Sequence, residues 1–302
     1  RYHKGTGNNA VFDGIFKRNM AKTQDGVYTF PVFSDPYNNG DDAAYLFSTQ
    51  TVNGKDVYAN VNYLFKKNSD GYYVYDSSEN YAYYNESQKR FVVYNVPAAP
   101  NGDADCYMKG NFFPFNTLAS NSSVKDRNTG LRNFETGSGS TTKNTHFGMT
   151  MSASFSQPAK GKINDKNMVF KFTGDDDVWV FIDGVLVLDI GGVHDALDGS
   201  IDFATGKVTV TGQTDTTLKA LFNAAGRNVE TGFTGDTFSD YTEHSINFYY
   251  LERGEGASNC KLEFNIQTIP KNRIIVGKQI TNANADVYSD VEFSFQLEVD
   301  ED

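Results

Sequence analysis

Phe172-Thr173-Gly174-Asp175-Asp176-Asp177-Val178-Trp179-Val180-Phe181-Ile182-Asp183-Gly184-Val185-Leu186-Val187-Leu188-Asp189 reads as the end of a strand, an acidic turn, a second strand, a two-residue turn and a third strand. Asp183-Gly184 is the decisive dipeptide, because a tight primed turn needs positive φ at both central residues and Asp-Gly tolerates it. The flanking runs, Val178 to Ile182 and Val185 to Asp189, are almost continuously apolar, so both faces of this hairpin are expected to be covered. Trp179 lies inside the first run and is expected in the core rather than stacked on a ligand.

Outward from that hairpin, short aromatic or β-branched runs alternate with Gly, Asn, Asp and Ser clusters. Met149 to Phe155 and Met168 to Phe172 precede it, and Ser200 to Phe203 turns back on Lys207 to Thr211 across Ala204-Thr205-Gly206. His244 to Leu251 and Cys260 to Thr268 follow. In the latter, Leu262, Phe264 and Ile266 alternate with Lys261, Glu263, Asn265 and Gln267, the pattern of a strand with one wet face. Near the start, Tyr63-Leu64-Phe65 with Tyr72 to Tyr75, and Tyr81 to Tyr84 with Phe91 to Tyr94, read as two hairpins. One helix is expected, Thr216 to Ala225, with Leu218, Leu221 and Phe222 on one face, Asp215 as its cap and Gly226 as its stop. The fold class is therefore all-β, a sandwich with long loops and one short helix. Residues 121–144, rich in Ser, Thr, Gly and Asn, read as a surface excursion. A new pattern begins near Pro270, with Ile274 to Ile280 and then Val291, Phe293, Phe295, Leu297 and Val299. This places one domain at 1–270, its first 60 residues unassigned, and at 271–302 a β-hairpin that opens a further Ig-like domain.

The 302 residues carry a net charge of −11, and this excess of acid provides no broad basic surface for nucleic acid or anionic membrane. No run approaches the roughly 20 apolar residues that span a bilayer, so membrane insertion is not expected. Cys106 and Cys260 permit one disulfide, but the apolar register of Cys260 fits a buried free thiol equally well.

Three consecutive carboxylates at Asp175-Asp176-Asp177 repel one another unless water or a cation relieves them, and hard oxygen donors suit Ca2+. A solvated acidic turn is the competing reading. The spacing does not match the twelve-residue EF-hand loop, which ends in a glutamate. His194 and His244 fit structural hydrogen bonding, while a histidine pair with acidic residues would also suit a transition metal. Asp183, Asp189 and Glu252 invite comparison with a glycosidase pair, whose carboxyl groups stand roughly 5 to 10 Å apart. No nucleophile elbow, metalloprotease helix, phosphate loop or Cys-x-x-Cys pair occurs, so an enzyme is not expected.

The stretch quoted above, continued by Leu188-Asp189-Ile190-Gly191-Gly192-Val193-His194, resembles the fibro-slime branch of protective-antigen-type domains. Asn111-Phe112-Phe113-Pro114-Phe115-Asn116, His244, Tyr250-Leu251-Glu252-Arg253-Gly254 and Ala257-Ser258-Asn259 extend the resemblance to roughly residues 60 to 270. It implies a β-sandwich that, in sugar-binding members, holds calcium through two adjacent aspartates joined by a cis peptide; the ion then ligates sugar hydroxyls. Asp175 and Asp176 match that pair. A later loop completes such a site, here Glu252 to Asn259, with Glu252, Glu255 or Asn259 as the equivalent side chain. The resemblance thus implies Asp175, Asp176, Glu252 and Asn259 as metal ligands, with Asp177, His194, Asp195, His244, Arg253 and Glu255 as further ligand-binding candidates.

Val276-Gly277-Lys278-Gln279-Ile280 and Phe293-Ser294-Phe295-Gln296-Leu297 resemble the opening of pilin-type repeats of Gram-positive surface proteins. In such repeats a lysine forms an isopeptide bond, and Lys278 is the matching residue. Together these resemblances imply a calcium-dependent adhesin module of a bacterial cell surface, anchored to the cell wall and partnered by glycans. A spacer with a purely structural calcium, or an accessory glycan-binding domain of a larger glycosidase, are the alternatives.

Overall fold

A computed structural model of the chain describes residues 56–95, 111–115, 147–175, 177–191, 194–252 and 258–269, with Phe47 and the strand residues 21–22, 28–29 and 125–126. The chain divides into two compact units, Arg1–Thr268 and Ile269–Asp302. The Ig-like tail and Lys278 lie outside the described residues. So do Asp176, Arg253, Glu255, Cys106 and most of the first 60 residues.

In chain order the strands of the three larger sheets are β1 (Lys66–Lys67), β2 (Tyr73–Asp76), β3 (Asn80–Asn85), β4 (Arg90–Asn95), β5 (Lys125–Asp126), β6 (Phe147–Ser156) and β7 (Val169–Gly174). There follow β8 (Asp177–Ile182), β9 (Val185–Ile190), β10 (Leu197–Asp202), β11 (Lys207–Val210), β12 (Thr216–Thr217), helix α1 (Leu218–Ala224), β13 (Glu243–Glu252) and β14 (Cys260–Phe264). Seven strands pair in the order β12-β11-β10-β7-β14-β2-β1, and four in the order β9-β8-β13-β6. A smaller sheet, β3-β4-β5, stands beside them.

The two large sheets pack face to face, which makes the all-β sandwich expected from the sequence. Phe170 and Phe172 of β7 reach Phe248 of β13 at ring distances of 5.9 and 6.3 Å. Val178, Val180 and Ile182 are buried in the same cluster. The opposite face of β8 is also covered, because Trp179 meets Phe47 edge-on at 6.4 Å and Phe181 meets Tyr249 at 5.8 Å. Every residue of β8 is buried, as the apolar run Val178 to Ile182 predicts for all but its first residue, Asp177. Asp183 and Gly184 join β8 to β9 at φ 47° and 75°, the positive values of a primed turn.

Three details differ from the sequence reading. The strand that precedes Tyr73–Asp76 is Lys66–Lys67 and not Tyr63 to Phe65, since Tyr63 has a positive φ of 69°. Thr217, not Asp215, caps α1: Thr216–Thr217 pair with Lys207–Val208 as a strand, so Thr217 stays extended and its hydroxyl accepts from Ala220 N at 3.2 Å. Asp215 pairs with Lys207 at 2.7 Å instead. β14 stops at Phe264 because the Asn265 side chain replaces the ladder, accepting from Val169 N at 2.7 Å and donating to Asn167 O at 3.0 Å.

Candidate functional site

The register places one group of candidates at one end of the sandwich. Asp177 pairs with Leu251, Gly174 with both Cys260 and Leu197, Val178 with Ile190, and Phe147 with Glu252. Asp175, Asp177 and Glu252 therefore share that end, with relative exposures of 7%, 0% and 1%. Carboxylates this deeply buried require compensation by hydrogen bonds, counter-charge or metal.

Asp175 takes part of its compensation from Asn259. Asp175 Oδ1 accepts a short hydrogen bond from the Asn259 backbone N–H, and Oδ2 accepts from Asn259 Nδ2 at 2.8 Å. Asp175 N–H in turn donates to the Asn259 carbonyl at 3.2 Å. Gly174 permits this approach, since a Cβ there would stand 2.2 Å from that carbonyl oxygen. A similar constraint explains Gly191, where a Cβ would stand 2.9 Å from the Trp179 indole nitrogen.

Glu252 is held by a second set. Tyr250 hydroxyl donates to Glu252 Oε2 at 3.1 Å and lies 2.8 Å from Ser258 Oγ, which donates to the Phe112 carbonyl at 2.9 Å. Ser258 N–H donates to Asn111 Oδ1 at 2.9 Å, tying the segment 111–115 to the same place. Burial pushes the Tyr250 phenol well above its ordinary range, and Glu252, Cys260 and Asp175 push it further. Burial likewise raises the Cys260 thiol, reinforced by Asp175, Asp76 and Glu252. Cys260 is a free, buried thiol, the second of the two states its register allowed.

His194 and Asp195 stand at this end too, just after β9. His194 is buried, but its Nδ1 lies 2.8 Å from Asp195 O and its Nε2 3.4 Å from Ile190 O. Carbonyls only accept and a neutral imidazole donates from one nitrogen, so at least one of these contacts holds the ring as a donor, which fits a structural role. Asp195 is exposed.

His244 is elsewhere. It lies near the other end of ten-residue β13, roughly 25 Å along the strand from Glu252. Its Nδ1 meets Asp183 Oδ2 at 2.6 Å and its Nε2 meets Thr242 Oγ1 at 2.7 Å, while its ring stacks on Phe238 at 3.7 Å. Asp183 Oδ1 accepts from Ser245 N at 2.8 Å, so the aspartate of the primed turn clamps β13. His244 thus leaves the candidate set, and Asp183 cannot act with Glu252 as an acid pair.

Sequence reading missed Asn111, Ser258 and the Tyr250 hydroxyl as supports of the acidic end, and Asp183 as the partner of His244. The donors gathered around Asp175 and Glu252 are hard oxygens and an amide, which fit calcium by type. Among the described residues no three His, Cys, Asp or Glu side chains form a ready-made metal cage, so a complete site needs Asp176 or the loop 253–257.

Residues 101–227 match the PA14 domain. The match supports the protective-antigen-type resemblance and covers Asp175, Asp177 and His194; it does not confirm the fibro-slime branch or a pilin-type tail. The chain is 31% identical over 244 residues to protein psiF of Dictyostelium discoideum, covering 78% of this chain and 30% of that protein. Protein psiP of the same organism is 29% identical over 176 residues, 56% of this chain and 18% of its own length. Protein psiG is 70% identical over 98 residues, 32% of this chain and 10% of psiG. The chain therefore spans less than a third of these curated relatives. No solved structure matches it. Among the described residues no helix is long and apolar enough to cross a membrane.

Proposed function

We propose that the sandwich is a calcium-dependent glycan-binding module of an extracellular or cell-surface protein, working without catalysis. The observation that carries this reading is the grip of Asn259 on both oxygens of Asp175, beside buried Asp177 and Glu252. Asn259 N–H, Asn259 Nδ2 and the Tyr250 hydroxyl are neutral donors that orient the carboxylates, whose hard oxygens are of the kind calcium takes. Calcium, when bound, supplies coordination positions for vicinal sugar hydroxyls. The chain's own residues do the positioning: Asn259 fixes Asp175, Tyr250 fixes Glu252, and Ser258 joins both to the 111–115 segment. PA14 domains are associated with carbohydrate binding and surface proteins, in line with this reading. The relatives found are eukaryotic, so a bacterial cell-wall origin rests on the resemblance of the tail alone.

A structural spacer is the second reading, favoured by the same Asn259 contacts, which already engage both oxygens of Asp175. A glycan array probed in calcium and in EDTA separates the two. Binding that EDTA abolishes and Asp175→Asn eliminates supports the lectin reading. Tight calcium binding with an empty array supports the spacer.

A further inference from the structure

We propose that Tyr58 is the floor of a separate stacking subsite for a neutral pyranose ring, at the margin of the acidic end; this rests on the glycan-binding reading above. Tyr58 is 38% exposed, one of few large apolar side chains among the described residues that face solvent. It is braced from below, with Tyr84 at 4.3 Å and Phe115 nearly parallel at 5.4 Å and 21°. Tyr84 and Phe115 are themselves in contact at 5.8 Å.

The bracing is rigid. Tyr84 N–H donates to the Pro114 carbonyl at 2.8 Å and the Tyr81 hydroxyl donates to the Phe113 carbonyl, which fastens the 111–115 segment to β3. The other end of that segment holds Ser258 through Asn111 and Phe112. Phe115 is four positions after Asn111, so the platform lies at most about 14 Å along the chain from the support of Glu252. A second path runs through rings, from Phe115 to Phe147 at 5.6 Å and on to Tyr250 at 5.9 Å.

The chemistry around Tyr58 suits a sugar. Its ring face carries partial negative charge, which attracts the C–H groups on one face of a pyranose. Asp56 and Glu86, both exposed, lie close enough for their carboxylates to raise the Tyr58 phenol, an effect added to the larger one of burial against its neighbours. Those carboxylates are acceptors for hydroxyl donors at the rim of a sugar and repel an anionic ligand.

Saturation-transfer NMR with maltose, cellobiose, lactose and N,N′-diacetylchitobiose tests this on the full chain, using wild type, Tyr58→Ala, Tyr58→Phe and Asp175→Asn in calcium and in EDTA. At least one disaccharide is expected to bind, with about tenfold weaker affinity in Tyr58→Ala and near-normal affinity in Tyr58→Phe. Sugar binding that Tyr58→Ala leaves unchanged, or no transfer from any of the four, overturns the subsite. Binding that depends on calcium and Asp175 but not on Tyr58 overturns the subsite and keeps the calcium reading. Tyr58-dependent binding indifferent to EDTA and Asp175→Asn upholds the subsite and removes the calcium reading.

Discussion

The two ends of the four-stranded sheet each fix an aspartate next to β8, and they treat its charge differently. Asp183 follows β8, carries a histidine partner at 2.6 Å and joins the first turn to β13. Asp175 precedes β8, is held by the backbone and carboxamide of Asn259, and stands with two more buried carboxylates at its end of the sandwich. The first arrangement offers its aspartate a partner that can carry positive charge, and it reads as a clamp. The second brings three buried carboxylates to one end, two of them oriented by Asn259 and the Tyr250 hydroxyl, and in the proposed reading it takes a cation. Burial alone does not mark a site; the chemistry of the neighbours decides what a buried carboxylate can do.

The largest expected effect is at the acidic end. Gly174→Ala forces a Cβ against the Asn259 carbonyl, and a destabilisation of about 3 kcal/mol is expected in urea unfolding, with loss of calcium binding. Wild-type stability in that variant would mean that β14 moves freely and that the Asp175–Asn259 grip is not rigid. At the other end, Asp183→Ala removes a charge-assisted bond to His244 and the acceptor of Ser245 N. About 2 kcal/mol is expected to be lost, with calcium and sugar binding intact. An equal loss of calcium affinity would erase the distinction between the ends.

Alkaline pH titrates buried groups, among them the Tyr250 hydroxyl that supports the acidic end. Burial holds the Tyr75 and Tyr250 phenols and the Cys260 thiol well above their ordinary values of 10.0 and 9.0. Above those values the unfolded chain has released protons that the folded chain keeps, so ν_U is below ν_N and stability falls with rising pH. The expected slope is about 1.4 kcal/mol per pH unit per group, first from the thiol near pH 9 and then from the phenols near pH 10. Urea midpoints measured from pH 7 to 11 check it, and Cys260→Ala removes only the earlier step. The smallest expected effect on stability is that of Asp175→Asn in EDTA, under about 1 kcal/mol in either direction, because a neutral isostere relieves buried charge while weakening the bonds from Asn259.

Much of the fold was legible because its signals are local. Asp183-Gly184 dictates its turn, and the unbroken apolar runs around it dictate burial on both faces. The alternation of Leu262 and Phe264 with charged neighbours marks the half-exposed strand β14. The cap of α1 was misread because a β pairing at Thr216–Thr217, which is a long-range contact, sets where the helix begins. Asp175, Asp177, Glu252 and Asn259, picked out in sequence by their side-chain chemistry or by resemblance, come together at one end of the sandwich. The place of His244 was not legible, because only the register of β13 on β8 shows which end of a ten-residue strand meets which turn. Asn111 and Ser258 escaped for the same reason: 146 residues lie between them, and a hydrogen bond at 2.9 Å joins them only in the folded chain.

The most direct test of the central claim is a calcium titration by calorimetry on chelator-stripped chain, with thermal unfolding followed in parallel. Saturable binding of about one ion per chain is expected, with stabilisation of about 2.7 kcal/mol at a concentration a hundredfold above Kd, and loss of both in Asp175→Asn. No binding heat with an unchanged melting temperature, or undiminished binding in Asp175→Asn, would contradict it.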